Sequence, residues 1–290
     1  MKEDNLNEPR DVTGKRIIIT GATNGIGLAA AKALVADGAE LTMIARSQER
    51  AGNAVAVIQA AAGAGKTADV LTADLSSQAA IRRLASEIED RYSRVDVLIN
   101  NAGAIFSHRQ LSVDGIELTW AVNHLAPFLL TTLLLDRLKS SAPARVVTTS
   151  SDAHLGAKIP FDDLNADRRY KSFRRYGQSK LANILFTSEL ARRLEGTGIT
   201  ANCLHPGLVA TGFNRNNGSV MKVAMSLIRP FSRTPAKGAE TLVWLAASPE
   251  AAGITGGYFV DERQQMPSAA AQDAETAKRL WQVSEKQVGG

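Results

Sequence analysis

A buried strand that runs through a glycine-rich turn into a helix is the feature that most restricts the fold of this chain. Residues 15–20 are rich in β-branched side chains and are predicted to form a strand, and the alanine-rich residues 28–37 are predicted to form a helix. The turn between them has the spacing Gly-x3-Gly-x-Gly. Glycines let the backbone approach a pyrophosphate closely, and the N–H groups at the start of the helix attract it. We therefore predict a nucleotide-phosphate site formed by Gly21, Thr23, Asn24, Gly25, Ile26 and Gly27.

The alternation of strands and helices continues along the chain and predicts a single α/β domain. Strands that alternate with helices favour a doubly wound parallel sheet, here of about seven strands with helices on both faces. We place the domain at residues 14–290, after a flexible lead-in at residues 1–13, with a substrate lid at about residues 212–234 and a tail helix at about residues 269–288. The further strands are expected at residues 41–45, 70–73, 95–99, 145–149, 199–204 and 257–260, and the further helices at residues 79–92, 120–139, 176–195 and 235–247.

Charge and composition argue against several other classes of protein. The net charge of +5 comes from scattered basic residues without interleaved aromatic side chains, which argues against a nucleic-acid partner. No apolar run is long enough to span a bilayer, and the polar first ten residues do not resemble a signal peptide. We therefore expect a cytoplasmic protein without an integral membrane segment. The single Cys203 suits a reducing compartment, and the four histidines lack short ligand spacing, so no metal site is expected.

The residue that follows the second predicted strand indicates which dinucleotide the site prefers. A carboxylate at this position would bind the 2′-hydroxyl of the NAD ribose, whereas a cation suits the 2′-phosphate of NADP. The chain carries Arg46 there, so NADP(H) is favoured over NAD(H). The alternative is that Arg46 is a solvent-exposed residue at the start of a helix.

Residues after the third and fourth predicted strands are expected to form the adenosine side of the same site. Asp74, followed by Leu75, is a candidate for hydrogen bonding to adenine, and its alternative role is the N-cap of the next helix. Asn101, Ala102 and Gly103 follow the fourth strand, where amides and small residues fit a wall close to the adenosine and its ribose.

A tyrosine and a lysine four residues apart are the candidates for proton transfer. Tyr176 and Lys180 lie in the predicted helix at residues 176–195, and residues four apart project from nearly the same face of a helix. A positive charge beside a phenol favours the phenolate, so Lys180 is expected to lower the pKa of Tyr176 and to make general acid–base chemistry possible near neutral pH. The alternative is that the two residues have this spacing by chance.

Two further polar residues are expected at the same crevice. Ser151 follows the strand at residues 145–149, and the carboxyl ends of parallel strands face the ligand. Its hydroxyl can hydrogen-bond a substrate carbonyl, and no Gly-x-Ser-x-Gly elbow marks it as a hydrolase nucleophile. Asn123 lies among apolar residues of the helix at residues 120–139 and needs a polar partner. Its alternative role is that of a buried structural amide.

Together these residues resemble the pattern of the short-chain dehydrogenase/reductase family over most of the chain. The resemblance implies a Rossmann-type fold and a catalytic tetrad of Asn123, Ser151, Tyr176 and Lys180. It implies that Tyr176 exchanges the proton, that Lys180 also holds the ribose, and that Asn123 anchors a water that relays protons to Lys180. The matching motifs are residues 20–27, Asn-Asn-Ala-Gly at residues 100–103, Asn123, Ser151 and Tyr176-x3-Lys180.

Several sequence segments are similar to the retinol dehydrogenase-like branch of that family. Residues 123–131 and 179–187 and the pair Leu280-Trp281 carry this likeness, and the 25-residue step from Ser151 to Tyr176 fits the same branch. The resemblance also implies a homodimer formed by the helices around Asn123 and Tyr176. It further implies a turn that contacts the nicotinamide through Pro206, Gly207, the backbone of Val209 and the hydroxyl of Thr211.

The expected function is NADP-dependent transfer of a hydride between the nicotinamide and a carbonyl or alcohol of a small apolar substrate. One alternative is a redox sensor that binds NADP(H) without turnover, and another is a reductase of carbon–carbon double bonds. A basic cluster before Tyr176 is interpreted either as a solvated loop or as a lip that attracts anionic substrates. Its members are Arg168, Arg169, Lys171, Arg174 and Arg175.

Overall fold

A single sheet runs through the middle of the molecule. The computed structural model describes residues 12–63, 65–209 and 232–289, and within these ranges eight strands pair in the order β3-β2-β1-β4-β5-β6-β7-β8. All neighbours are parallel except β7 and β8, which are antiparallel. The predicted doubly wound sheet is therefore confirmed. The strands are β1 Arg16–Thr20, β2 Glu40–Ala45, β3 Ala68–Thr72, β4 Val97–Asn100, β5 Ala144–Thr149, β6 Ile199–Leu204, β7 Tyr258–Val260 and β8 Arg263–Gln265.

The eighth strand is the one that the sequence did not predict. All three residues of β8 are exposed, so they carry neither an apolar run nor an alternation that would mark a strand. The other strands except β3 are mainly buried because helices cover both faces of the sheet, whereas β3 lies at an edge and has two exposed residues. In β1, for example, Ile18 joins the hydrophobic core on one face while Ile17 and Ile19 join the core on the other face.

The helices divide between the two faces. Helices α1, α2 and α8 cover one face, and α3, the segment from α4 to α6, α7 and α9 cover the other. The helices are α1 Gly25–Ala36, α2 Gln48–Ala62, α3 Gln78–Arg91, α4 Leu118–Trp120, α5 Ala126–Leu133, α6 Leu135–Ser140, α7 Ser172–Arg193, α8 Pro235–Ala247 and α9 Ala274–Gln287.

The helix predicted at residues 120–139 is interrupted near Pro127 and again at Leu134. A π-helical turn at Ala121–Leu125 separates α4 from α5, and the N–H of Ala126 donates to the carbonyl of Ala121, five residues back. Pro127 lies in the first turn of α5 and has no N–H to donate, so the regular ladder cannot continue through this point. A π turn inserts an extra residue into the helix and changes which face its side chains share, and this one contains Asn123.

The tail helix closes the face that carries α5 and α7. Trp281 is buried, and its ring lies 4.9 Å from that of Phe128 and 5.9 Å from that of Phe186. The side chain of His124 lies 2.8 Å from the Ser284 hydroxyl, so α9 also contacts the π turn. Helix α9 begins after its N-cap Asp273 rather than at residue 269, because Ala269–Ala271 form a separate 3-10 turn.

The predicted start of the domain and the predicted lid can be compared with the structure only in part. Val12 is buried in the core, so packed residues begin before the predicted domain boundary at residue 14. Residues 1–11 lie outside the described residues, as do residues 210–231, which include Thr211 and most of the predicted lid. The buried Cys203 agrees with its expected place in the core.

Candidate active site

The carboxyl ends of four neighbouring strands gather the predicted residues at one edge of the sheet. The glycine turn follows β1, Asn101 to Gly103 follow β4, Ser151 follows β5, and Pro206 follows β6 within two residues. Because β1 and β4 are adjacent while β2 and β3 lie on the other side of β1, the strand order reverses here. Ligands of doubly wound sheets bind in the crevice at such a reversal.

The glycine turn is held tightly against the end of β4. Gly21 has a φ of +71°, and a Cβ at this position would lie 2.8 Å from the Cα of Ala102. The side-chain amide of Asn101 donates to the carbonyls of Thr20 and Gly21, each at 3.1 Å. The Thr20 hydroxyl in turn accepts from the backbone N–H groups of Asn101 and Ala102 at 3.0 Å. Both the tight turn and the close wall require small side chains, which explains these residue types.

The start of α1 fits a phosphate group. Asn24 is the N-cap residue, but its side chain makes no capping hydrogen bond, and the first turn of α1 carries no acidic residue. The N–H groups at this helix end therefore keep their capacity to bind an anion. Asn24 is exposed, while Thr23 and Ile26 are half-buried beside it. The turn that follows β1 thus suits the pyrophosphate of a dinucleotide.

The residues proposed for the adenosine end lie at the ends of β2 and β3. Arg46 is exposed immediately after β2. Asp74 is exposed after β3 and accepts from the backbone N–H and the hydroxyl of Ser76 at 2.9 and 2.8 Å. The N-cap of α3 is Ser77, which accepts from Ala80, so the alternative role of Asp74 as that N-cap is wrong. The Leu75 side chain is buried in the core, and the contact of Leu75 with a nucleotide stays a prediction.

The side chain of Asn123 fastens the loop after β4 to the helices. Its Oδ1 accepts from the N–H of Ala104 at 2.7 Å, and its Nδ2 donates to the carbonyl of Ala104 at 2.9 Å and to the Ser179 hydroxyl at 3.0 Å. This fully buried amide therefore has the partners that its apolar surroundings require. Both N–H donors are occupied, so a water bound to this side chain would have to use the remaining lone pair of Oδ1.

Helix α7 places Lys180 beside both Tyr176 and Asn123. The Lys180 ammonium is buried, donates to the carbonyl of Thr149 at 2.9 Å, and lies 5.5 Å from the centre of the Tyr176 ring. A Cβ at Gly103 would lie 3.4 Å from the Lys180 Nζ and 3.5 Å from the Asn123 Oδ1, so these side chains meet around Gly103. The Ser151 side chain hydrogen-bonds Tyr176. The structure thus brings the four residues of the proposed tetrad together.

The predicted lowering of the Tyr176 pKa is wrong for the protein without a bound nucleotide. Burial raises the pKa of Tyr176 to about 12, while the hydrogen bond from Ser151 acts in the opposite direction. Burial also lowers the pKa of Lys180 to about 8. Loss of water around the phenolate is therefore the largest influence on this pKa. At neutral pH Tyr176 is a phenol with a proton to give, and Lys180 is still mostly an ammonium.

One member of the basic cluster is an internal residue. Arg175 is buried, and its Nε donates to Glu117 at 2.7 Å, while its guanidinium lies 4.6 Å from the centre of the Trp120 ring. Glu117 in turn accepts from the backbone N–H groups of Thr119 and Trp120 at 2.8 and 3.0 Å. A single carboxylate therefore joins the start of α4 to the start of α7. The other basic residues of the cluster are exposed, namely Arg168, Arg169, Lys171 and Arg174.

Sequence reasoning missed Glu117 because it treated the cluster as one surface feature. The available signal was an acidic residue directly before a helix, where a carboxylate caps free N–H groups. A second signal was the position of Arg175, which is about 100° around the helix from Tyr176 and so points to a different neighbour.

The turn after β6 is only partly described. Gly207 has a φ of +81°, and a Cβ there would lie 2.6 Å from the Arg233 Nε, so this position favours glycine. Val209 pairs with Arg233 through a β-bridge, and the Arg233 N–H donates to the carbonyl of Leu208 at 2.7 Å. Pro206 lies in the same turn. The contact of these residues with a nicotinamide stays a prediction, and Thr211 lies outside the described residues.

Two further properties concern only the described ranges. None of the helices in residues 12–63, 65–209 and 232–289 combines the length and the apolar character needed to cross a bilayer. In the same part of the chain, no group of three or more His, Cys, Asp and Glu residues is arranged to hold a metal ion.

Comparison with known proteins identifies the family. Residues 15–221 match the model of the short chain dehydrogenase family, so the chain belongs to this family of oxidoreductases. The chain is 42% identical to mouse retinol dehydrogenase 14 over 295 residues, which cover 97% of this chain and 88% of the relative. Within the family it is therefore retinol dehydrogenase-like.

Two other relatives extend this comparison. A protein of Streptomyces sp. (strain C5), provisionally named daunorubicin C-13 ketoreductase, is 43% identical over 279 residues, which cover 95% of this chain and 93% of the relative. The solved active-site complex of Pseudomonas aeruginosa RhlG with NADP has a TM-score of 0.69 and 27% identity, covering 91% of this chain and 99% of that one.

The buried ion pair gives a prediction about stability. Arg175→Met removes the cation and leaves Glu117 buried without a charge partner, which is expected to lower the free energy of unfolding by about 3–5 kcal/mol. Chemical denaturation measures this loss. Arg174→Met, which changes an exposed neighbour of the same type, is the matched control and is expected to change stability little. The double variant Glu117→Gln with Arg175→Met should lose less than Arg175→Met alone. Equal stability of the Arg174 and Arg175 variants would contradict the role given to this pair.

Proposed function

We propose that this oxidoreductase transfers a hydride between NADP(H) and a carbonyl or alcohol carbon of a small apolar substrate. The observation that carries the proposal is the meeting of Asn123, Ser151, Tyr176 and Lys180 at the edge where the glycine turn follows β1. Hydroxyl donors beside a dinucleotide crevice suit an oxygen that gains negative charge during the reaction. The names of the relatives, a retinol dehydrogenase and a ketoreductase, support the same chemistry.

Each residue of the tetrad has a separate task in this proposal. The bound nicotinamide supplies or accepts the hydride. Ser151 and Tyr176 donate hydrogen bonds to the substrate oxygen, and Tyr176 gives it the proton during reduction. The Lys180 ammonium binds ribose hydroxyls and stabilises the phenolate that remains after proton transfer. Asn123 holds the loop after β4 against α7, and a water relay from Asn123 to Lys180 is part of the proposal.

The ionisation of the tetrad supports the reductive direction. Burial keeps Tyr176 protonated at neutral pH, which is the form that a carbonyl reduction consumes. Oxidation of an alcohol needs the phenolate, and a positive charge near the ring would have to make it accessible. We therefore propose carbonyl reduction as the reaction that the protein groups favour.

The preference for NADP(H) rests on Arg46. Its exposed side chain follows β2, where a cation suits a ribose 2′-phosphate. The NADP complex of Pseudomonas aeruginosa RhlG supports the same choice.

Exposed apolar side chains support an apolar substrate. Leu155 lies between Ser151 and α7, and Phe173 lies in the first turn of α7. Their side chains are 61% and 68% exposed. The exposed basic residues of the same segment leave open the proposal of a lip that attracts anionic groups. Turnover of matched neutral and carboxylated carbonyl compounds would separate these two contributions.

Location and assembly remain proposals. We propose a cytoplasmic protein and allow for a homodimer. Because α9 packs against α5 and α7, a dimer that uses this face would contact α9 rather than the helices of the tetrad directly.

Loss of the Tyr176 hydroxyl tests the proposed function. Tyr176→Phe is expected to lower kcat for carbonyl reduction at least about a hundredfold, because the general acid is removed, while the Kd for NADPH stays within about twofold. Steady-state assays over a panel of ketones and aldehydes, with product analysis and NADPH titration by fluorescence, measure both quantities. Tyr92→Phe makes the same chemical change at a tyrosine outside the proposed tetrad and should retain turnover. Undiminished turnover by Tyr176→Phe would refute the acid role, and products reduced only at carbon–carbon double bonds would favour the alternative reductase.

The cofactor preference has its own test. Arg46→Ala is expected to raise the Kd for NADPH about tenfold and to leave the Kd for NADH unchanged, because only NADPH carries the 2′-phosphate. Arg50→Ala removes another exposed arginine from the following helix and serves as the control. If the ratio of the two Kd values does not change in Arg46→Ala, another residue decides the preference.

A further inference from the structure

Two histidines hold the same peptide unit directly after Ser151. The His154 Nδ1 lies 2.8 Å from the carbonyl oxygen of Ser151, and the N–H of Asp152 donates to the His205 Nδ1 at 3.3 Å. Both contacts are made to the peptide group that joins Ser151 to Asp152, one at its C=O end and one at its N–H end. The two imidazoles come from different places, since His154 follows β5 and His205 follows β6.

The partners of these rings fix opposite tautomers. A carbonyl only accepts, so the His154 Nδ1 must carry a proton, and the His154 Nε2 accepts from the N–H of Ser268 at 3.2 Å. An amide N–H only donates, so the His205 Nδ1 must be unprotonated, and the His205 Nε2 lies 3.1 Å from the Asp152 carboxylate. Both rings are therefore neutral in this arrangement, with the proton on Nδ1 in His154 and on Nε2 in His205.

The Asp152 side chain has a further partner in β7, and the Ser151 hydroxyl accepts one backbone hydrogen bond. The hydroxyl of Tyr258, the first residue of β7, donates to the Asp152 carboxylate at 2.8 Å, so β7 is joined to the segment after β5. The Ser151 Oγ accepts from the N–H of Ala153 at 3.2 Å. Since the oxygen acts as acceptor there, the Ser151 hydroxyl keeps its proton as a donor, and in this structure it hydrogen-bonds Tyr176.

We infer that His154 and His205 are positioning residues for Ser151 and clamp the peptide that sets the direction of its hydroxyl. The inference rests on the proposed function, since it assigns the clamp to the hydrogen bond that Ser151 donates to the substrate oxygen. Ser151 has extended backbone with a ψ of 154°, and rotation of the following peptide changes this angle and with it the aim of the side chain. A shift of this kind weakens a hydrogen bond that matters in the transition state.

The clamp makes turnover sensitive to acid. Protonation of His205 places a second N–H opposite the N–H of Asp152, so the bond to the peptide is lost. Among the described residues, the charged and titratable groups that act on His205 are Asp152, Asp261, Arg233 and His154, and the Tyr258 hydroxyl donates to Asp152. Asp261 pairs with Arg233, and burial keeps the pKa of His205 below its usual value although Asp152 opposes this. His205 therefore becomes protonated only at a pH below the usual pKa of histidine, and we expect kcat to fall in that pH range.

Asparagine and glutamine replacements separate the two nitrogens of each ring. An asparagine amide occupies the position of Nδ1 and a glutamine amide that of Nε2, so His154→Asn and His205→Asn keep the bond to the peptide, whereas His154→Gln and His205→Gln lose it. We expect the glutamine variants to lower kcat about three- to tenfold and the asparagine variants to stay within about twofold of wild type. The Kd for NADPH should be unchanged in all four. His108→Gln, at an exposed histidine, is the control.

The acid dependence supplies a readout that a purely structural role would not change. Wild type should lose kcat as the pH falls through the pKa of His205, and His205→Asn should lack this loss because its amide does not titrate. Equal losses in the asparagine and glutamine variants, or no loss in any of them, would overturn the clamp.

A measurement without turnover keeps the clamp testable if the proposed reaction fails or a variant does not fold. Nitrogen-15 NMR of the histidine rings at neutral pH should show His154 protonated at Nδ1 and His205 protonated at Nε2. The same tautomer in both rings, or a charged ring, would overturn the clamp. Wild-type protein with the expected tautomers but without turnover on the carbonyl panel would instead refute the proposed function.

Discussion

The rest of the site depends on the hydrogen bond that the buried ammonium of Lys180 donates to the backbone of β5. Its hydrogen bond to the carbonyl of Thr149 joins α7 to the last residue of β5, and the Ser150 hydroxyl returns a hydrogen bond to the carbonyl of Lys180. This pair of bonds fixes where α7 crosses the sheet edge and therefore where Tyr176, one turn earlier, lies. Burial lowers the pKa of Lys180 to about 8 and raises the pKa of Tyr176 to about 12. Enclosure by protein thus leaves a cation and a phenol side by side at neutral pH.

The surrounding elements limit the freedom of this pair from two directions. Glu117 ties the start of α4 to Arg175, directly before Tyr176, and Asn123 ties the π turn to the loop after β4. Trp281 of α9 packs against Phe128 of α5 and Phe186 of α7. The active-site geometry is therefore a property of several helices packed together, and the cost of a buried ion pair is consistent with a role in orientation rather than in stability alone.

The sequence predicted the parts of the fold and the site that follow from local patterns. The ends of β1, β4, β5 and β6 can be located from buried runs, and parallel strands bring such ends to one edge, which predicts that Ser151 lies near the glycine turn. The proposal of a tetrad with Asn123, Tyr176 and Lys180 comes from the resemblance to the family. What the sequence could not supply depends on contacts across the chain. The partner of Arg175 and the contact of His205 with the N–H of Asp152 both join residues distant in sequence. The direction of the Tyr176 pKa shift also differs from the prediction, because spacing reveals the neighbouring lysine but not the loss of water.

The central claim is that enclosure keeps Tyr176 in its protonated form despite the neighbouring ammonium. A spectroscopic pH titration of phenolate absorbance, with the Tyr176→Phe signal subtracted from that of wild type without added nucleotide, measures this directly. The account predicts that no phenolate from Tyr176 forms below about pH 10, the usual tyrosine pKa. A phenolate that forms well below this value in the free protein would show that Lys180 dominates and would contradict the account.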